Sequence, residues 1–296
     1  MKQLLCLALL LTVVDSFAKD VIPDPPKTCD ACEDWNQPHE PFKVYGNTWY
    51  VGTKGLSSIL ITSEKGHILI DGGLPQSAPL IAQNIEKLGF RLTDVKLILN
   101  SHTHYDHAGG IAALQRASGA QVAASPAARR ALERGGPGED DPQFGFGPEH
   151  NDYAPVRDVR AIRDGETLRV AGLAVTAHFT PGHTPGGTTW TWNSCQRDEC
   201  QSVVYADSLN SISAPGFKFS ADPERVISFE QSITTVAELS CQILLAPHPE
   251  LFNRDAKLAA REKGQPDFIK RGECMDYADG AHQRLLKRLA EERGSP

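Results

Sequence analysis

His102-Thr103-His104-Tyr105-Asp106-His107 places four metal-ligating side chains within six positions, and Gly109 and Gly110 follow closely. Zinc is held by imidazole nitrogen and carboxylate oxygen, and several of these must converge on one point. The chain has ten histidines in all, so three in one hexapeptide mark a metal-binding stretch rather than a His-rich surface loop. The apolar run Val95-Lys96-Leu97-Ile98-Leu99 leads straight into it, as a strand leads into a functional loop.

Three more sites lie just past strand-like runs. Leu173–Phe179 ends in Thr180-Pro181-Gly182-His183-Thr184-Pro185-Gly186-Gly187, with His183 held between two Pro-Gly turns. Gln242–Leu245 ends in Ala246-Pro247-His248-Pro249, and Gln201–Tyr205 ends in Ala206-Asp207-Ser208. A ligand needs such rigid presentation. Alone, His183 reads equally well as a capping residue in a tight turn; together, the strand-end residues can supply two adjacent metal sites. The other histidines read as structural or solvated. His39 and His282 lie in polar stretches, His67 opens a strand, and His150 sits in a long loop. His178, within a strand, packs or supports a ligand from behind.

The positioning elements follow from periodicity. Thr48–Val51, Ser58–Thr62 and His67–Asp71 are strand-like. Leu80, Ile81, Ile85 and Leu88 recur at helical spacing over 78–88, and Gly89 stops that helix. After the His motif come a helix from Ile111 to about Ala117, the strand Gln121–Ala124 and a helix opening at Pro126. Residues 135–155 read as a long irregular loop, in which Phe144 and Phe146 favour a covering role. Strands at Thr167–Val170, Leu173–Phe179, Thr188–Trp192 and Gln201–Tyr205 follow. A helix from Pro223 to Leu239, the strand Gln242–Leu245 and an amphipathic helix from Asp276 to Glu292 close the chain. Strands then helices, twice over, predict an α/β fold of two packed sheets with helices outside.

Met1-Lys2-Gln3, an apolar run from Leu4 to Val14 and small residues at Ser16 and Ala18 read as a secretory leader, residues 1–18. That run is too short to span a bilayer. Residues 19–296 are then expected to form a single domain, exported to the periplasm or secreted. The net charge of −7, without a basic stripe, speaks against nucleic-acid binding. Neither a membrane nor a protein partner is called for, and a monomer is expected. Cys6 leaves with the leader, and the remaining six cysteines suggest disulfides in an exported chain. Cys195 and Cys200 flank a polar turn and are expected to pair; Cys241 and Cys274 could tie a strand to the last helix. Cys29 and Cys32 form a CxxC, read as a local disulfide because no second CxxC follows.

The HxHxDH motif, PGHTPG, ADS and PHP together resemble the metallo-β-lactamase superfamily over nearly all of the mature chain. The runs Asp71–Ala78, Gly182–Gly186, Tyr205–Leu209 and Leu244–Pro249 resemble its subclass B3. Subclass B1 carries a cysteine ligand where this chain has Ser208, and subclass B2 an asparagine where it has His102. The resemblance implies an αβ/βα four-layer sandwich, two packed mixed β-sheets with helices outside, and metals in a groove at the sheet edge. It implies two Zn2+ per chain, the first on His102, His104 and His183, the second on Asp106, His107 and His248. Asp207 is open to two roles. In lactonase-like and glyoxalase II-like members an Asp here bridges the metals, whereas in subclass B3 the neighbouring Ser binds substrate, and this chain has both. Asn210 stands where subclass B3 enzymes often carry a hydroxyl; its amide can still donate a hydrogen bond. Ser211 and Ser213 could substitute, and Gln143 and Phe144 are weaker candidates for substrate contact.

The activity so implied is zinc-dependent hydrolysis of the β-lactam amide of penicillins, cephalosporins and carbapenems by a zinc-bound hydroxide, giving antibiotic resistance. Asp106 would orient that hydroxide, and Ser208 and Asn210 would bind the substrate carboxylate. The alternative is a secreted metallo-hydrolase of the same fold acting on a lactone or thioester. A non-catalytic zinc protein is disfavoured, because structural sites saturate four protein ligands and these divide three and three. A nuclease is disfavoured by the acidic charge and the leader.

Overall fold

The computed structural model describes residues 21–265 and 267–294; the expected leader lies outside them. Among the described residues, twelve strands form two sheets. The first holds β1 (Phe42–Tyr45), β2 (Thr48–Tyr50), β3 (Ile59–Ser63), β4 (Gly66–Ile70), β5 (Val95–Leu99), β6 (Gln121–Ala124) and β7 (Val159–Ala161), paired in sequence order. Pairs from β1 to β4 are antiparallel, and those from β4 to β7 are parallel. The second holds β8 (Thr167–Val170), β9 (Leu173–Phe179), β10 (Thr188–Gln196), β11 (Glu199–Tyr205) and β12 (Ile243–Leu245) in the order β12-β11-β10-β9-β8. Only β11 and β12 run parallel there.

Alternation along the strands sends side chains to two apolar layers. Ile59, Ile61, Ile68, Ile70, Leu97 and Leu99 join the core that holds Val175, Ala177, Trp190 and Tyr205 of the second sheet. Leu60, Leu69, Ile98 and Val122 face the other way, against Ile81 and Ile85 of the helix Ala78–Lys87 and Leu114 of the helix Ile111–Ser118. Phe229, Ile233 and Val236 of the helix Pro223–Glu238 and Ala278, Ala281 and Leu285 of the helix Glu273–Gly294 cover the second sheet. The result is the expected αβ/βα layering. Strands apolar on both faces are what a sheet covered on both sides requires. No described helix is long and apolar enough to cross a membrane.

Several expectations need adjusting. β10 and β11 run on into one hairpin closed at Cys195 opposite Cys200, so both are longer than their apolar runs. β1 and β7, short edge strands, and the charged helix Arg254–Glu262 join the expected elements. The last helix starts at Glu273, three residues before Asp276. The 135–155 loop contains a 3-10 turn, Phe144–Phe146, and a short helix, Pro148–Asn151. Disulfides join Cys29 to Cys32, Cys195 to Cys200 and Cys241 to Cys274, the three pairs read from the sequence.

The sheets are joined at Asp71, where β4 ends. Its buried carboxylate accepts hydrogen bonds from the Ser101 N–H (2.7 Å), the Ser101 hydroxyl (2.7 Å), Asn100 Nδ2 (3.1 Å) and the Tyr205 hydroxyl (2.7 Å). Its φ of 62° lies in the left-handed region, which aspartate tolerates better than most residues. From the second sheet, the Thr188 N–H donates to Ser101 O (2.8 Å) and Trp190 Nε1 to Asn100 O (3.0 Å). Asp71→Ala strands several buried donors, each worth about 1–3 kcal/mol. It is expected to destabilise the fold by about 3 kcal/mol or more, read as a lowered urea midpoint; an unchanged midpoint would remove Asp71 as the joint.

Candidate metal centre

The Asn100–Ser101 corner leads directly into the His motif. His104 opens the short helix Tyr105–Ala108, so Asp106 and His107 emerge from a single helical turn. The motif is pinned to the preceding loop: Gly72 N–H donates to His107 O (2.8 Å) and Gly110 N–H to Gly73 O (3.1 Å). A Cβ on Gly110 would fall 2.2 Å from Gly72 O, so this backbone approach requires glycine. His183 follows β9, Asp207 follows β11 and His248 follows β12. All the predicted ligands therefore meet at one end of the two sheets.

The rings of His102, His104 and His183 form a triangle, with centroids 5.0, 4.8 and 4.7 Å apart. Each ring has one nitrogen engaged. His102 Nδ1 meets Asp207 Oδ1 (2.9 Å), and His104 Nε2 meets Asp141 Oδ1 (3.1 Å). His183 Nδ1 donates to Asn210 O (2.8 Å). The remaining nitrogens, Nε2, Nδ1 and Nε2, are left to ligate, and the ligand atoms of the three lie within 4.8 Å of one another. Hydrogen bonding at one ring nitrogen selects the one that ligates.

His102 also touches the second group, its ring centroid 4.4 Å from that of His107. There, Asp106 Oδ2 lies 3.0 Å from His107 Nε2 and 3.4 Å from His248 Nε2, and the two Nε2 atoms are 3.2 Å apart. Three ligand atoms thus face a common point. Among the described residues His107 Nδ1 has no hydrogen-bond partner, and His248 Nδ1 faces Glu250 Oε1 at 3.9 Å. Trp35, from the short helix Cys32–Trp35, packs its ring against that of His248 at 5.3 Å.

Charge distribution fits a cation at these groups. Asp71, Asp106, Asp141 and Asp207 are all buried, and their side-chain partners are histidines, hydroxyls and an amide, with no lysine or arginine among them. Buried anions without a cation are costly. Burial pushes the Asp207 carboxyl well up, and its Oδ2 has no partner. Burial resists charge on Asp106 too, but His107 and His248 hold it well below the usual carboxylate range. Burial and the neighbouring His104 take His183 down to about 3, and burial and the surrounding imidazoles also depress His102. At His104 burial is outweighed by Asp141, which raises it. Imidazoles kept neutral at His102 and His183, an ionised Asp106 and further buried acids suit a divalent metal with nitrogen and oxygen ligands.

The structure brings His102, His104, Asp106, His107, His183 and His248 together. Ser208 is buried beside Asp207; Asn210 is half-buried and offers His183 its backbone carbonyl. His178 supports no ligand: its Nε2 pairs with Thr191 Oγ1 across the β9–β10 ladder (2.9 Å). His150 packs edge-on against Tyr105 (4.9 Å) in the wall of the site. His39 packs on Phe42 and Tyr50, and His67 on Phe90, away from the ligand groups. Asp141 was hidden among the loop acids, and Trp35 carried no signal beyond its proximity to the CxxC. Tyr277, which donates to Asp207 O (2.7 Å), looked like an ordinary core position of the last helix.

A family model described as the metallo-beta-lactamase superfamily matches residues 51–191. Among solved structures, the chain is similar to the Rm3 metallo-beta-lactamase at 50% identity, with a TM-score of 0.87, over 90% of this chain and 99% of that one. It is also similar to MEM-A1, described as a subclass B3 metallo-beta-lactamase from a soil metagenome library, at 50% identity and a TM-score of 0.84, over 88% and 99% of the two chains. A hydroxyacylglutathione hydrolase of Rhodopseudomonas palustris (strain BisB5) is 31% identical over 139 residues, 47% of this chain and 42% of that protein. The match thus spans less than half the length of that curated relative.

Room for Asp207 comes from a glycine: a Cβ on Gly187 would lie 2.3 Å from its Oδ2. Gly187→Ala should push that carboxylate off His102 and weaken metal binding by about 10–100-fold, the usual cost of losing an outer partner. Metal retained after dialysis, measured by mass spectrometry, tests this; wild-type retention in a folded variant would contradict it.

Proposed function

The chain belongs to the metallo-beta-lactamase superfamily, and from that premise we propose that it is a zinc hydrolase opening the amide bond of β-lactam antibiotics. The observation that carries this reading is the division of six donors into two adjacent groups of three, where a structural zinc would saturate four protein ligands. The half-identical solved β-lactamases support the substrate class.

On this reading His102, His104 and His183 hold one zinc ion, and Asp106, His107 and His248 a second. When bound, zinc polarises a carbonyl and acidifies water, supplying a nucleophile near neutral pH. The chain's own residues do the positioning. Asp207 and Asn210 fix two of the first group's rings from behind, through their Nδ1 atoms. Asp106, kept ionised by its two imidazole neighbours, would accept a hydrogen bond from the attacking water and so aim its lone pair. The Ser208 hydroxyl and the Asn210 amide bind the substrate carboxylate. Water adds across the strained C–N bond, the oxygen going to the acyl carbon and a proton to the nitrogen, which leaves a carboxylate and an amine. Export of a monomer to the periplasm and a role in antibiotic resistance belong to the same proposal.

A thioester or lactone substrate is the second reading, favoured by the hydroxyacylglutathione hydrolase likeness. Asp207 speaks against the metal-bridging role that such enzymes would give it. It meets Nδ1 of His102, the side of the ring away from the free Nε2.

Purified protein is expected to hydrolyse a penicillin and a carbapenem, to lose that activity to a chelator, and to regain it with zinc. Inertness toward both, with hydrolysis of a thioester or lactone, would transfer the assignment to the second reading. His183→Ala should lower kcat/KM by more than the roughly 100-fold that loss of an outer partner costs; near wild-type turnover in that variant would remove His183 from the site.

A further inference from the structure

Asp141 belongs to the 135–155 loop, yet it is 2% exposed and reaches into the metal centre. Its Oδ1 meets His104 Nε2 (3.1 Å) and also accepts the N–H of Gln143 (2.8 Å). The loop is organised from that residue onward. Asn151 Nδ2 donates to Gln143 O (3.0 Å) and Phe144 O (3.1 Å), and the Ala214 N–H crosses to Pro142 O (2.9 Å). Phe144 and Phe146 ride on this turn, 44% and 38% exposed, with Phe146 against the His150 ring (4.8 Å), so they form an apolar rim rather than part of the core. One carboxylate oxygen therefore connects the ring of a candidate ligand to the segment that presents these aromatics.

We infer that Asp141 is a positioning residue that couples metal occupancy of the His102–His104–His183 group to the order of the 143–151 segment. The inference rests on that group holding zinc. Asp141 orients His104 so that Nδ1 faces the metal, and an imidazole that ligates a cation has a more acidic N–H. Its bond to a carboxylate is then stronger, and the carboxylate in turn makes the ring a better ligand. The effect runs both ways by thermodynamic necessity: whatever part of zinc binding the ordered loop stabilises, zinc returns as loop order. The apolar rim is then fully assembled only on the loaded protein.

The test reads two equilibria, neither of them turnover. Zinc affinity is measured by competition with a chromophoric chelator, and loop order by amide deuterium exchange over residues 143–151, with and without zinc. In wild type, zinc should slow exchange in that segment. Asp141→Ala should bind zinc about 10–100-fold more weakly and show no zinc-dependent slowing. Asp141→Asn retains an acceptor oxygen and should recover the loop protection and part of the affinity. Asn151→Ala, which removes the hydrogen bonds to Gln143 O and Phe144 O and leaves the Asp141–His104 contact in place, should loosen the segment and weaken zinc binding several-fold. Wild-type zinc affinity in both Asp141→Ala and Asn151→Ala, or zinc-dependent slowing that survives Asp141→Ala, would overturn the inference. Failure of wild type to bind zinc would overturn the metal assignment itself.

Discussion

A single buried carboxylate holds this architecture in register. Asp71 ends β4, accepts from the corner that follows β5, and accepts from Tyr205 at the end of β11. The loops that present His102–His107 and Asp207 thus start from one point shared by both sheets. Burial alone pushes the Asp71 carboxyl up, and the donors around it supply the compensation that water would give. A hydrophobic contact could bring the sheets together, but it could not set their mutual position to the few tenths of an ångström a ligand sphere needs.

The two ligand groups are held in different ways. Each ring of the first is fixed from outside by an oxygen, contributed by Asp207, Asp141 or Asn210. These partners come from two loops, the one after β11 and the 135–155 loop, so the orientation of the triangle depends on how both pack at this end of the sheets. The second group is held more loosely from outside: among the described residues His107 Nδ1 has no hydrogen-bond partner, and the Glu250 carboxylate stands 3.9 Å from His248 Nδ1. Its geometry depends on Asp106, on the rigid turn Tyr105–Ala108 and on Trp35 against His248. The Cys29–Cys32 disulfide closes the turn that leads into the Cys32–Trp35 helix carrying Trp35.

The six donors that cluster were legible as candidates because each sits in a locally distinctive setting: a hexapeptide dense in donors, or a histidine clamped by prolines past a strand. The layering was legible because strands buried on both faces are apolar throughout, as in Ile68-Leu69-Ile70. The supporting residues were not, because their work is done at long sequence separation. Asp141 is one of several acids in a glycine-rich loop, and nothing local distinguishes it from its exposed neighbour Asp140. Asp71 reads as the polar end of a strand until Tyr205 is seen to reach it. β1 and β7 are too short to establish a period, and Arg254–Glu262 hides its helix behind charge. Its Arg254 is in fact buried, donating to the carbonyls of Thr53 and Lys54.

The six clustered donors are split between the sheets, four after β5 and one each after β9 and β12. An ion gripped from both sides would be bound more tightly by the native chain than by the denatured one, which keeps only the local hexapeptide donors together. Mass action would then make the ion a cohesive force between the layers, contributing at most about 2.7 kcal/mol when its free concentration is 100 times its dissociation constant. The lifetime of the protein against proteolysis thereby becomes a function of how much metal its surroundings contain, so that scarcity of the ion would thin the population of folded molecules as well as silence those that remain.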